Sequence, residues 1–246
     1  MRHYQNFKVK IYADGADIKE ISNLTHNPMV TGFTTNPSLM RKANVTDYEQ
    51  FAHQVIKLVS DKSISFEVFA DELSEIEYQA KIIASWGKNV YVKIPITTTQ
   101  GESTAPVIIN LAKKGIAVNV TAITTIEQVE TLAPCLDYNT RAIVSIFAGR
   151  IADTGVDPMP TMIEAVKILK NKPQAAILWA SSRELFNMVQ AEQAGCHIIT
   201  MTPDMIKKLS LFNKDLIQYS LETVSMFYED AKTAGYTIDV PELEIA

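Results

Sequence analysis

What this chain lacks narrows its chemistry before any residue is singled out. Cys135 and Cys196 are its two thiols, and neither sits in a CxxC or CxxH spacing. They read as small core residues rather than a disulfide or a metal pair. The four histidines, His3, His26, His53 and His197, are scattered, which suggests neither a metal cluster nor a histidine general base. No GxGxxG, Walker loop or HExxH occurs, so the common nucleotide and zinc signatures are missing. Positive charge is also in short supply: a net charge of -5 gives no basic footprint for nucleic acid. No run of about twenty apolar residues marks a membrane span. The start, Met1-Arg2-His3-Tyr4-Gln5-Asn6-Phe7-Lys8, lacks the apolar core of a secretory signal. These absences predict a protein of the reducing cytoplasm that works, if it is an enzyme, with carboxylates, a lysine and hydroxyls.

What is present is a regular alternation of short apolar runs and longer amphipathic ones. The strand-like runs are Lys8–Asp14, Gly32–Thr35, Ile64–Phe69, Val90–Ile96, Ala117–Ala122, Ala142–Phe147, Ala175–Ala180 and His197–Met201. Between them Tyr48, Phe51, Ala52, Val55, Ile56 and Val59 recur at spacings of three and four, the stripe of a helix. Glu102–Lys114, Ile126–Ala133, Pro160–Lys170 and Glu184–Ala194 follow the same pattern. Asp47, Ser74 and Ser182 stand where N-caps belong, and Gly87, Gly115 and Gly195 where helices end. Strand and helix repeated about eight times predict one α/β domain over 1–246, a (β/α)8 barrel over about 8–210. A doubly wound open sheet competes, but it more often carries a glycine loop after its first strand. An extra amphipathic segment, about Asn213 to Gly235, carries Ile217, Leu221, Val224, Phe227, Tyr228 and Ala231 on one stripe. It either closes the barrel of its own chain or reaches a neighbouring subunit.

Lys93 stands out within Val90-Tyr91-Val92-Lys93-Ile94-Pro95-Ile96, a run whose composition predicts a strand covered on both faces. Desolvation disfavours an ammonium there, and a neutral amine attacks carbonyls to form Schiff bases. The plainer alternative is a buried stem with its head in water. In a barrel the reactive groups gather at the C-terminal strand ends. Asp14 closes the first run, and Thr34, Thr35 and Asn36 the second. Glu67, Lys93, Asn119 with Thr121, Ser145 with Phe147, and Ser181 follow on successive strands. Thr34, Ser65 and Ser182 read as caps or satisfied core hydroxyls, but the recurrence of the others is costly as mere packing. A Schiff base on Lys93 would make a ketose carbonyl an electron sink, so that the adjacent carbon–carbon bond breaks. Asp14 could take the proton of the departing hydroxyl, and Glu67 with Thr121 could hold the water that forms and cleaves the imine. Arg150 and Arg183 would suit a phosphate, a solvated surface being the alternative for each.

Seven stretches in order carry a resemblance. They are Ala13-Asp14, Thr34-Thr35-Asn36-Pro37-Ser38-Leu39, Ser65-Phe66-Glu67-Val68, Val92-Lys93-Ile94-Pro95, Asn119-Val120-Thr121, Ser145-Ile146-Phe147-Ala148-Gly149-Arg150-Ile151 and Ala180-Ser181-Ser182-Arg183. From about Tyr12 to Leu209 the chain resembles the transaldolases, in length their short form. The resemblance implies a pentose-phosphate-pathway transferase with a Schiff-base lysine at Lys93 and a proton-transferring aspartate at Asp14. Glu67 and Thr121 would position the catalytic water. Asn36 and Asn119 would orient the bound dihydroxyacetone unit beside Thr35, Ser145 and Phe147. Arg150, Ser181 and Arg183 would hold phosphate. It implies sugar-phosphate substrates, no cofactor and no metal, and a homo-oligomer, a ring-like pentamer or decamer. The related fructose 6-phosphate aldolases typically have glutamine and tyrosine where this chain has Glu67 and Phe147. A barrel that binds sugar phosphates without turning them over is the non-enzymatic alternative. Trp179 and Ser182 depart from the family pattern, which puts substrate preference in question.

Overall fold

The computed structural model describes residues 4–238. These fall into two compact units, the barrel Gln5–Leu209 and a second one made of Tyr4 with 210–238. In chain order the barrel comprises β1 Lys10–Asp14, α1 Ile18–Thr25, β2 Val30–Thr34, α2 Pro37–Lys42, α3 Tyr48–Val59 and β3 Ser63–Glu67. There follow α4 Leu73–Ser85, β4 Val90–Pro95, α5 Ala105–Lys113, β5 Val118–Ile123, α6 Ile126–Leu132 and β6 Ala142–Ile146. α7 Ala148–Asp153, α8 Met159–Ile168, β7 Ala175–Trp179, α9 Phe186–Ala194, β8 Ile198–Met201 and α10 Pro203–Lys207 complete it. All neighbouring strands pair in parallel, and β8 pairs with β1, so the sheet closes. The open-sheet alternative is thereby excluded.

The near-continuous apolar strands bury both faces, as a parallel sheet under a ring of helices requires. Phe33, Phe66, Val92, Ile94, Val120, Val144, Ile177 and Ile199 are all essentially inaccessible. Inside the barrel Tyr12 packs with Ile143, Leu178, Ala180 and Ile198. Its ring needs the missing side chain of Gly32, where a Cβ would lie 2.5 Å from the ring.

Local chemistry sets the helix ends. Asp47 accepts from the Gln50 N–H at 2.9 Å, as its sequence position predicts, and Gly115 and Gly195 close their helices at φ +70° and +79°. Two expected caps are corrected. Ser74 lies within α4, whose N-cap is Glu72. Ser182 instead donates to the Thr200 carbonyl at 2.6 Å, and α9 is capped by Leu185. Cys196 is buried as expected, whereas Cys135 is only half-buried and donates to the Thr131 carbonyl. In the second unit α11, Leu216–Thr233, starts at the Asp215 cap. Its stripe residues Ile217, Leu221, Val224, Phe227 and Tyr228 are exposed. No described helix is long and apolar enough to cross a membrane.

Candidate active site

Strand register builds the site. In β3, β4 and β5 the residues Glu67, Lys93 and Asn119 are Cα partners across adjacent strands, so all three project to the same face of the sheet, the interior. Asp14 and Thr34 are paired in the same way between β1 and β2. Thr121 lies two residues beyond Asn119 and shares its face. The result is a polar layer at the C-terminal mouth. Eleven of the twelve expected site residues line a cavity of about 520 Å³ there: Asp14, Asn36, Glu67, Lys93, Asn119, Thr121, Ser145, Phe147, Arg150, Ser181 and Arg183. Thr35 is the exception. Its side chain is fully buried and lies outside the lining, and only its carbonyl reaches the site.

Lys93 is 6% exposed. Its Nζ lies 3.1 Å from Glu67 Oε2 and donates to the Thr35 carbonyl at 3.1 Å. The wholly apolar surroundings suggested by the flanking residues are thus replaced by a polar layer with a carboxylate partner. Alternation explains the difference: the valines and isoleucines beside Lys93 point outward to the helices. Asp14 accepts from the Thr34 hydroxyl at 2.9 Å. Desolvation raises the Asp14 carboxyl above its ordinary value, outweighing the pull of Lys93 and the Thr34 hydrogen bond, while Glu67 pushes it further up. Thr34 also meets Thr200 Oγ1 at 2.5 Å.

The remaining polar groups divide by whether they are already engaged. Ser145 donates to Asn119 Oδ1 at 2.7 Å, and Asn119 Nδ2 donates to Ser65 at 2.9 Å, an ordered chain across three strands. Asn36 uses Oδ1 to cap α2 through the Leu39 N–H, which leaves its amide donors for a ligand. Thr121 Oγ1 is buried without a partner among the described residues. A buried hydroxyl of that kind in a cavity wall is where a water or a ligand group completes the hydrogen bonding.

At the rim, the turn after β6 docks against the end of β7. Gly149 donates to the Ala180 carbonyl, and a Cβ on Gly149 would lie 1.6 Å from the Ser181 oxygen. Ser181 itself has φ +58°, unusual for a residue with a side chain. Arg150 lies over the Phe147 ring, 5.5 Å from its centroid. Arg183 forks onto Asp153, Nε donating to Oδ1 at 3.1 Å and Nη2 to Oδ2. Trp179 is fully buried and outside the cavity lining, so its bulk does not shape the pocket. Thr34, read from the sequence as a satisfied core hydroxyl, is satisfied by Asp14 and Thr200 but also lines the wall, and sequence reasoning passed over Thr200, which lines it too. Their signal was a polar residue near the strand's C-terminal end. A cavity of about 530 Å³ lies near Lys10, Tyr12, Tyr91 and His197. Among the described residues its one lining carboxylate is Glu192, which accepts from the backbone N–H groups of Lys8 and Val9.

A closed (β/α)8 barrel with an interior lysine between carboxylates at its C-terminal mouth is the class that the fold and the cavity define. Residues 11–241 match the family described as Transaldolase/Fructose-6-phosphate aldolase. The chain belongs to that family. It is 34% identical over 196 residues to a "Probable transaldolase" of Dehalococcoides mccartyi, covering 78% of this chain and 86% of that protein. A "Probable transaldolase 2" of Listeria monocytogenes is 32% identical over 202 residues, covering 82% and 88%. Among solved structures, a dihydrodipicolinate synthase family protein from Coccidioides immitis aligns with a TM-score of 0.59 at 12% identity, over 95% of this chain and 80% of its own. That likeness concerns the fold alone.

Proposed function

We propose that the protein is a transaldolase that moves a dihydroxyacetone unit from a ketose phosphate to an aldose phosphate through a Schiff base on Lys93. The observation that carries this reading is the interior Lys93–Glu67 pair, 3.1 Å apart, in one cavity with Asp14. Lys93 passes a proton to Glu67 and attacks the C2 carbonyl of fructose 6-phosphate. Glu67, with a water held by the free hydroxyl of Thr121, returns that proton to the departing oxygen, and an iminium forms. The C3–C4 bond then breaks as Asp14 takes the proton of the C4 hydroxyl, and the bonding electrons settle on the imine as an enamine. Glyceraldehyde 3-phosphate leaves. The enamine adds to an acceptor aldehyde, erythrose 4-phosphate, and Asp14 returns its proton to the new hydroxyl. The water held by Glu67 and Thr121 hydrolyses the resulting iminium, freeing sedoheptulose 7-phosphate and Lys93. Asn36 and the Ser145–Asn119 chain orient the three-carbon unit, and Ser181, Arg150 and Arg183 take the phosphate. Sedoheptulose 7-phosphate and glyceraldehyde 3-phosphate are the corresponding pair for the reverse transfer.

Phe147 distinguishes transfer from simple cleavage. A phenyl ring at the cavity wall offers no proton to the enamine, which therefore waits for the acceptor. The reading places the protein in the pentose phosphate pathway of the cytoplasm. It also makes the chain one subunit of a homo-oligomer, a ring-like pentamer or decamer held through the exposed stripe of α11. The test is release of glyceraldehyde 3-phosphate from fructose 6-phosphate with and without erythrose 4-phosphate. Release that requires the acceptor supports the transferase, and sustained release without it identifies a fructose 6-phosphate aldolase instead.

A further inference from the structure

We propose that Asp153 is a positioning residue for the phosphate end of the cavity, holding Arg183 beside Arg150 so that both guanidiniums meet one phosphate. This rests on the reading of Arg150, Arg183 and Ser181 as the phosphate-binding group. Two like charges converging on one point repel each other, and long side chains lose entropy when fixed. Each arginine here has its own restraint. Arg150 is laid over the Phe147 ring. Arg183 is pinned at both ends: its backbone N–H donates to Asn187 Oδ1 at 2.7 Å, and its guanidinium forks onto Asp153. Asp153 stands three residues after Arg150 on α7, hence on the same helical face. One carboxylate thus offsets the repulsion between both cations.

The fork also leaves the working donors free. A guanidinium has five N–H groups, and Asp153 engages one on Nε and one on Nη2. The other Nη2 hydrogen and both Nη1 hydrogens remain for a phosphate. Arg150 lines both this cavity and a neighbouring depression, Arg183 lines the cavity, and Asp153 lines the depression with Thr124, Glu127 and Thr154 but not the cavity. Asp153 therefore acts through Arg183 and is not itself a ligand of the substrate. The close approach of Gly149 to Ser181 brings α7 and the turn after β7 near enough for the fork to form.

The test uses the full chain, wild type and Asp153→Asn, with three probes. Inorganic phosphate is titrated calorimetrically. Fructose 6-phosphate and dihydroxyacetone are each titrated for half-maximal formation of the borohydride-trapped lysine adduct. The variant is expected to weaken phosphate and fructose 6-phosphate about three- to fivefold, the upper scale of a half-exposed ion pair. The dihydroxyacetone curve should move less than about twofold, since that probe has no phosphate. Phosphate affinity that is unchanged or tighter overturns the proposal, the tighter case making Asp153 a competitor of the substrate. An equal shift for dihydroxyacetone also overturns it, pointing to general damage. If wild type binds phosphate but traps no adduct, the transaldolase reading fails, and the phosphate titration still decides the role of Asp153. A wild type that binds no phosphate overturns the positioning itself.

Discussion

Asp14 brings a carboxyl into the cavity of Lys93 and Glu67, and burial holds its pKa above the ordinary 3.8. A group raised on folding contributes its full stability below the unfolded value, and that contribution is lost as pH rises through the folded value. Asp14→Asn removes the cost of the buried carboxylate. The difference in Tm between variant and wild type should therefore grow in the variant's favour as the pH is raised from below 4 toward neutrality. Thermal scans across that range check it, and a difference that shrinks would contradict the assigned shift. Turnover in the same variant should fall by about 10²- to 10⁴-fold, the usual contribution of a general base. Asp14, Glu67 and Lys93 were legible in the sequence because ionisable groups are rare on barrel strands. The partner of Thr34 and the place of Thr200 in the wall were not, since threonine is an ordinary strand former and only the closed barrel brings their hydroxyls together across β1. Nothing local distinguished Asp153 from any acidic residue on a helix.

At the scale of elements, the turn from β6 into α7 and the end of β7 form one joint. Gly149→Ala would drive a Cβ into the Ser181 carbonyl. Because the Cβ position is fixed by the backbone and its partner is a backbone carbonyl, the strain cannot be relieved by a side-chain rotation. The variant should lose about 1–3 kcal/mol of stability and weaken phosphate binding by displacing Arg150 from Ser181. Urea denaturation reads the first effect, and an unchanged midpoint would mean that the joint opens freely. The elements themselves were largely written in the sequence: each strand-like run overlaps a strand of the barrel, and the stripe at Tyr48–Val59 coincides with α3. Strand and helix ends were less legible, because they depend on which partner a side chain finds. The Ser182 hydroxyl is drawn to the Thr200 carbonyl across strands, a contact absent from its local sequence.

At the scale of the whole molecule, α11 leaves Ile217, Leu221, Val224, Phe227 and Tyr228 exposed, more apolar surface than a free helix end requires. If those residues hold an oligomer together, a chain ended before Asn213 should scatter light as a single subunit, and an unchanged mass would refute that role. Closure of the barrel follows from eight covered strands and brings eleven expected residues to one mouth, which no single motif specifies. The chemistry at that mouth depends on one atom, Lys93 Nζ. The most direct measurement is borohydride reduction during turnover of fructose 6-phosphate, followed by peptide mass mapping. The predicted result is a reduced three-carbon adduct on the peptide carrying Lys93, with neither adduct nor turnover in Lys93→Met. An adduct on a different lysine, or appreciable transfer by Lys93→Met, would contradict the account.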